Sequence, residues 1–254
     1  MGSVQKFVHG AVCNQIRHCK REIQNDRNKD IDNSRTHLNY SLSPRRLGGE
    51  YRYYLKRKQQ LYCYGRKDLK TMCGWIITLP KEINDVEQEK AFFQQTYNFL
   101  EKRYGAENVI QAVVHYDEGK MEKVMDRWGR SVVNEDGSQK YRLVLGRPHL
   151  HFNFIPVVKD RNPKHVQEEK ICANDLLTKL ELQHFHTDLQ KYLNEHGIAG
   201  KVITGITKKN GRNYTVEELK KKYEMQKELE RLRVIEKKYN EEHQYQMSHE
   251  RGRW

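Results

Sequence analysis

The sequence predicts an α+β fold: a central, mainly antiparallel β-sheet flanked by helices, with an inserted β-hairpin and a long C-terminal helix. Three observations carry this. Strand-like and helical stretches do not alternate steadily, which argues against a parallel, doubly wound sheet. The run RPHLHFNFIPVV over residues 147–158 alternates polar and apolar residues through its middle, as a half-buried strand does. Thr215-Val216-Glu217-Glu218 reads as a capping box opening a charged helix that runs towards Tyr245.

The remaining elements follow in order. A short helix is expected over 13–24, then a basic, looping segment that ends in Ser43-Pro44-Arg45-Arg46-Leu47-Gly48-Gly49. A second basic helix fits 50–60. Residues 72–79 (MCGWIITL) read as a strand stopped by Pro80. Helical spacing returns over 85–103, with Phe92, Phe93, Tyr97 and Leu100 on one side. Residues 108–116 (NVIQAVVHY) are apolar on both faces, which places that strand in the sheet interior. Two β-rich runs, 123–133 and 140–145, surround Asn134-Glu135-Asp136-Gly137, a hairpin-turn signal. Residues 174–196 repeat Leu177, Leu182, Phe185, Leu189 and Leu193 at helical spacing, closed by Gly197. Residues 208–213 read as a linker. The expected organisation is therefore one domain over 1–212, a hairpin inserted at about 119–147, and a charged helix over 213–254.

Composition narrows the partner. Among 254 residues, Lys and Arg outnumber Asp and Glu by 47 to 34, a formal net charge of +13. Such an excess favours a polyanion, because neutralising phosphates releases counterions; an anionic lipid surface remains the alternative. The five cysteines include no Cys-x-x-Cys pair, which excludes a disulfide framework and suits a reducing compartment. No apolar run approaches the roughly 18 residues of a membrane span, and residues 1–10 lack the apolar centre of a secretory signal. Lys6 stands where a myristoylation signal wants Ser or Thr. The expectation is a soluble, intracellular protein of the cytoplasm without stable membrane insertion.

The chemistry concentrates in a few residues. In a strand, His149, His151 and Asn153 face one way while Leu150, Phe152 and Phe154 face the core. Two imidazoles side by side can serve one metal ion. His115 ends the preceding interior strand, with Asp117 and Glu118 just beyond it. Three histidines and a carboxylate with positions left over describe a site that meets a substrate. The competing reading is a polar pair on a wet sheet face. His184-Phe185-His186 has the same form but sits in a helical repeat, where i and i+2 lie about 200° apart and cannot converge on one ion. Nearer the N-terminus, His18 and Arg21 are three apart and would share a helix face, a nucleophile or base beside a phosphate-gripping cation. Tyr40 offers a second nucleophile.

The pieces His18-x-x-Arg21, then Asn28-Lys29-Asp30-Ile31-Asp32-x-x-Arg35-Thr36-His37-Leu38-Asn39-Tyr40, then His115-x-Asp117-Glu118, then Pro148-His149-Leu150-His151-Phe152 occur in this order. They resemble the ordered motifs of the Mob/Pre (MobV-type) plasmid mobilisation relaxases, within the His-hydrophobic-His endonucleases. The similarity runs from about His18 to Lys220, including Arg66-Lys67-Asp68 and Tyr214 to Leu219. The resemblance implies metal-dependent nicking and rejoining of one DNA strand at an origin of transfer, through a covalent 5′-phosphoryl enzyme. It implies that His115, His149 and His151 hold Mn²⁺ or Mg²⁺ with Glu118 beside the ion. His18 matches the nucleophile position and Arg21 its phosphate-gripping partner, with Tyr40 as the alternative attacker. Lys29, Arg35, Asn39, Arg66 and Lys67 would contact single-stranded or supercoiled DNA. A homodimer through the C-terminal helix is a further expectation. A rolling-circle initiator, a plasmid recombination protein or a non-catalytic DNA-binding regulator are the competing functions. This sequence departs from the family where residues 119–146 separate the last two motifs, read as a hairpin beside the metal site.

Overall fold

The computed structural model describes residues 2–23, 30–203 and 216–251. Two compact units form: Met1–Glu122 with Tyr141–Thr204, and Lys123–Lys140 with Gly205–Trp254.

The first unit is built on a five-stranded antiparallel sheet of order β1-β3-β7-β4-β2. The strands are β1 (Gly2–Val8), β2 (Tyr40–Ser41), β3 (Lys70–Thr78), β4 (Val109–His115) and β7 (His149–Phe154). The His-Leu-His strand, β7, is the central one. β4 lies inside the sheet as expected and is buried along its whole length. β1 was not legible: GSVQKFV is short and polar, and it holds its place by pairing along β3 from Gly2↔Ile77 to Val8↔Lys70.

Helices cover both faces. One face carries α3 (Val86–Tyr104) and α5 (Lys179–Glu195), which pack Phe92, Phe93, Leu100, Phe185 and Leu189 against Trp75, Leu150, Phe152 and Phe154. Phe185 stacks on Trp75 with centroids 3.6 Å apart. Asp85 caps α3 by accepting from Gln88 N–H, and Thr178 caps α5 by accepting from Glu181 N–H. That cap explains why the helix expected over 174–196 is split: α4 (Ala173–Leu176) ends at non-helical Leu177 and α5 starts afresh.

The opposite face carries α1 (His9–Cys19) and α2 (Glu50–Gln59), joined in a second core through Val12, Ile16, Tyr54, Met72 and Ile110. α1 begins four residues before the expected start and stops five short of the expected end. The strand expected over 147–158 is interrupted at Ile155–Pro156: β8 (Val157–Lys159) leaves the sheet and pairs with β9 (Glu169–Ile171). Arg147 is not in the strand; its guanidinium donates to the carbonyls of Leu79, Pro80 and Ile83.

The hairpin stem, β5 (Gly119–Lys123) and β6 (Tyr141–Leu145), leaves directly from Glu118, whose carbonyl accepts from Gly146 N–H at 2.9 Å. Gly119 is required there: a Cβ would lie 2.7 Å from the Val144 carbonyl. In the second unit, the run expected over 123–133 folds back on itself. Asp126 N–H donates to Arg130 O, Met125 bridges Ser131, and Gly129 adopts φ 74°. The Asn134–Gly137 turn forms as expected, with Gly137 at φ 79° and Val133 bridging Gln139. The same unit contains α6 (Val216–Arg251). The capping residue expected for it, Thr215, lies outside the described residues.

Candidate metal centre

The centre forms where β4 ends and β7 begins. His115 pairs directly with His149, so both side chains leave the same sheet face, and His151 follows two residues on. The other end of β7 shows why that face is not wet: Asn153 and Gln111 are buried under α1, Asn153 donating to Gln111 Oε1 and towards Cys19 Sγ. One ligand atom each from His115, Glu118, His149 and His151 lies within 4.8 Å of all the others.

Hydrogen bonds fix the orientation of these rings. His115 Nε2 lies 2.8 Å from the Cys19 carbonyl, which can only accept, so Nε2 carries the proton and Nδ1 presents a lone pair. Arg21 Nη2 donates to that Nδ1 at 3.1 Å. Glu118 Oε1 faces the same Nδ1 at 3.1 Å, and His149 Nε2 faces His151 Nε2 at 3.0 Å. Arg21 Nη2 reaches both His115 Nδ1 and Glu118 Oε1, so one guanidinium nitrogen serves the first of these pairs. Burial, reinforced by His115 and His149, holds His151 well below the usual imidazole value, in the neutral form a ligand needs. Burial alone would raise the carboxyl of Glu118. The imidazoles of His115, His149 and His18 outweigh it and keep Glu118 well below the usual carboxylate range. Its Oε2 lies 3.1 Å from His149 Nε2. These residues fit a divalent ion such as Mn²⁺ or Mg²⁺.

His18 enters from the last turn of α1. Its Nε2 lies 3.5 Å from Glu118 Oε1, and its ring centroid is 6.3 Å from that of His151 and 6.4 Å from that of His115. Arg21 does not share a helix face with it, which corrects the expected pairing. α1 stops at Cys19; Arg21 N–H returns to His18 O and Glu22 N–H to Arg17 O, while Arg21 takes a left-handed φ of 57°. That conformation costs a non-glycine residue about 1–2 kcal/mol. It turns the guanidinium inward: Nε and Nη2 grip both oxygens of Asp117 at 3.0 and 2.7 Å, Nη2 also reaches Glu118 at 2.7 Å, and Nη1 donates to His18 O at 3.0 Å. The fork expected to meet a phosphate holds Asp117.

The other expected residues are scattered. Tyr40 pairs with Val114, which pairs with Leu150, so Tyr40 lies on the α3–α5 face, across the sheet from the imidazoles. Burial raises its phenol above the usual value. Asn39 is turned inward, donating to Asp117 at 2.8 Å and accepting from Tyr116 N–H at 2.8 Å; Arg35 donates to Tyr116 O. Arg66 and Lys67 are exposed before the start of β3, whereas Thr78 at its end pairs with His149. They precede Lys70, and at ~3.3 Å per residue β3 carries the chain about 26 Å from Lys70 to Thr78. Lys29 is outside the described residues. The control pair behaves as helix geometry requires: His184 is exposed, and His186 binds the backbone of Gly2 at 3.1 and 3.3 Å. Asp117, mentioned in the sequence only as a neighbour of His115, is the residue whose importance was missed.

Three imidazoles and one carboxylate converging at the start of a central His-Leu-His strand make a candidate sheet-built metal site of the His-hydrophobic-His kind. Residues 1–221 match the Mob_Pre family, described as plasmid recombination enzyme, and the chain belongs to that family. A plasmid recombination enzyme of Streptococcus agalactiae is 26% identical over 86% of this chain, and one of Lactiplantibacillus plantarum 28% identical over 84%. The chain spans 38% and 50% of the lengths of these two relatives. Among solved structures, the manganese-bound MobM relaxase domain on oriT DNA of plasmid pMV158 (22 nucleotides with a 3′-thiophosphate, pH 6.8) matches with a TM-score of 0.62 and 25% identity, over 87% of this chain and 97% of that one. The same domain on 22 nucleotides at pH 5.5 gives a TM-score of 0.61.

Proposed function

We propose that this chain is a metal-dependent DNA relaxase domain that nicks and rejoins one strand at an origin of transfer, initiating plasmid mobilisation. The observation that carries the reading is the convergence of His115, Glu118, His149 and His151, with His18 Nε2 at its edge. The manganese and oriT DNA in the similar MobM structures support it. The name of the family supports a broader version as well, since breaking and rejoining one strand also serves plasmid recombination.

A bound Mn²⁺ or Mg²⁺ would polarise the scissile phosphate and stabilise the charge that develops on it. The chain's own groups do the rest. The lone pair of a neutral His18 imidazole attacks phosphorus, with the Glu118 carboxylate 3.5 Å from its Nε2 orienting the ring. A P–N bond forms as the P–O3′ bond breaks; the departing oxygen takes up a proton from water and leaves as the 3′-hydroxyl, and the 5′-phosphoryl group stays on His18. Attack by a 3′-hydroxyl on this adduct reverses each step and reseals the strand. Arg21, held on Asp117, fixes Glu118 and the His18 carbonyl during the transfer. We assign the nucleophile to His18 over Tyr40, which the sheet separates from the ligands.

A single-stranded oligonucleotide carrying the cognate origin should be cut only with a divalent ion, leaving a protein–DNA adduct that His18→Ala abolishes and Tyr40→Phe retains. An adduct surviving His18→Ala would overturn the assignment. Absence of cutting with every divalent ion would leave a DNA-binding regulator. Among the described residues no helix is long and apolar enough to cross a membrane; the cytoplasm, where plasmid DNA lies, is the proposed location. For self-association we propose α6, which exposes Leu229, Leu232, Ile235 and Tyr239. Concentration-dependent sedimentation abolished by Leu232→Glu would support pairing, and a monomer at all concentrations would refute it.

A further inference from the structure

Asp117 is fully enclosed, its side chain 0% exposed, yet it lies among groups that can all be traced to the centre. One oxygen accepts from Arg21 Nη2 at 2.7 Å; the other accepts from Arg21 Nε at 3.0 Å, Thr36 Oγ1 at 2.9 Å and Asn39 Nδ2 at 2.8 Å. Its backbone carbonyl accepts from Asp32 N–H at 2.8 Å. Three segments therefore meet on one carboxylate: the end of α1 that carries His18, the 3₁₀ turn Asn33–Leu38 with its flanks, and the strand end that carries His115 and Glu118.

From the geometry we infer that Asp117 is a positioning residue for the nicking reaction, acting through Arg21 to fix Glu118, His115 and the His18 backbone relative to one another. The inference rests on reading the centre as a metal-dependent nicking site. Arg21 leaves the helix in a left-handed turn and would swing freely without an anchor. The two-pronged grip on Asp117 locks the guanidinium plane, and with it the contacts of Nη2 to Glu118 at 2.7 Å and to His115 Nδ1 at 3.1 Å. Those contacts set where the Glu118 carboxylate points beside the His115 ring, the role that outer partners play around ligating carboxylates. Thr36 and Asn39 complete the second oxygen of Asp117, so the 31–39 segment is fastened to the point that fastens Arg21.

The test uses Asp117→Asn and Arg21→Lys in the whole chain, with circular dichroism and melting to show that each is folded. Mn²⁺ affinity is read without DNA from the electron paramagnetic resonance of the free ion. Single-turnover nicking at saturating Mn²⁺ is read beside the affinity for uncut oligonucleotide. Asparagine keeps the shape of Asp117 but removes its charge and one acceptor, and lysine keeps the charge of Arg21 but not the fork. Each folded variant is expected to lose about 10–100-fold in Mn²⁺ affinity and to nick more slowly, with DNA affinity within about twofold of the parent. The double variant is expected to be no worse than the poorer single one, as for residues acting in series. Mn²⁺ affinity and nicking rate within twofold of the parent in folded Asp117→Asn would overturn the inference, as would losses that add fully in the double variant. If Asp117→Asn does not fold, Arg21→Lys decides on the same readings. Should the parent bind Mn²⁺ but cut no DNA, the nicking reading fails while the Mn²⁺ titrations still decide whether Asp117 positions the ligands.

Discussion

At His115 the backbone does the selecting: the Cys19 carbonyl takes the Nε2 proton, so the ring can offer only Nδ1 to an ion. Moving or removing that ring should therefore cost more than removing an imidazole that merely lies on the surface. His115→Ala and His151→Ala are expected to weaken Mn²⁺ binding by at least tenfold in calorimetric titration, while His184→Ala leaves it unchanged. Equal losses in all three would mean that the affinity is not localised at the sheet end. Thiol reactivity gives a second residue-level check. Burial pushes Cys19 and Cys73 up to about 12, so at neutral pH both stay protonated and enclosed. Alkylation followed by mass spectrometry should label Cys13, Cys63 and Cys172, which are partly exposed, well before these two. Early labelling of Cys19 would show that α1 does not seal the centre. The pair His149 and His151 was legible because strict alternation fixes a face. Arg21 was not legible, because its direction depends on a left-handed cap that no glycine announces.

Among the elements, β3 and β7 set the depth of the sheet through one close approach. A Cβ on Gly74 would lie 2.5 Å from Asn153 Oδ1 and 3.2 Å from the Phe7 ring. Gly74→Ala should therefore cost about 1–3 kcal/mol, read as a lower urea midpoint with unchanged slope; an unchanged midpoint would show that Asn153 moves aside freely. Element boundaries followed local chemistry where that chemistry was visible. Pro80 marked the end of β3 to within two residues, because a breaker acts through its immediate neighbours, and the spacing over 85–103 placed α3 to within one. The edge strand β1 escaped notice because its partner lies some seventy residues away and supplies the pairing that its own sequence lacks. The turn within 123–133 was hidden for a related reason: Asp126 accepts from the backbone of Trp128 and Arg130, a side-chain contact that overrides a β-rich run.

On the scale of the whole molecule, charge and buried phenols set the response to solution conditions. A net charge of +13 should make DNA affinity fall steeply with salt. A log–log slope of about −3 to −5 corresponds to roughly four to seven phosphate contacts on a single strand; a slope near zero would refute a backbone-led interface. Burial pushes the phenol of Tyr54, which donates to Thr71 at 2.7 Å, up to about 12. Its folded value lies above its unfolded one, so the stability it gives is complete below about pH 10 and is lost as the pH rises through about 12. Urea midpoints should therefore fall between about pH 10 and 12, and less steeply in Tyr54→Phe; identical slopes would show that other groups carry the alkaline loss.

The central claim is that His18, at the edge of the His115–Glu118–His149–His151 set, is the residue that takes the DNA. The most direct measurement is peptide mass spectrometry of the adduct trapped with Mn²⁺ and a cognate single strand, before and after mild acid. A phosphoryl group is expected on the peptide containing His18, lost in acid as a phosphorus–nitrogen bond should be. An acid-stable adduct on the peptide containing Tyr40 would contradict it.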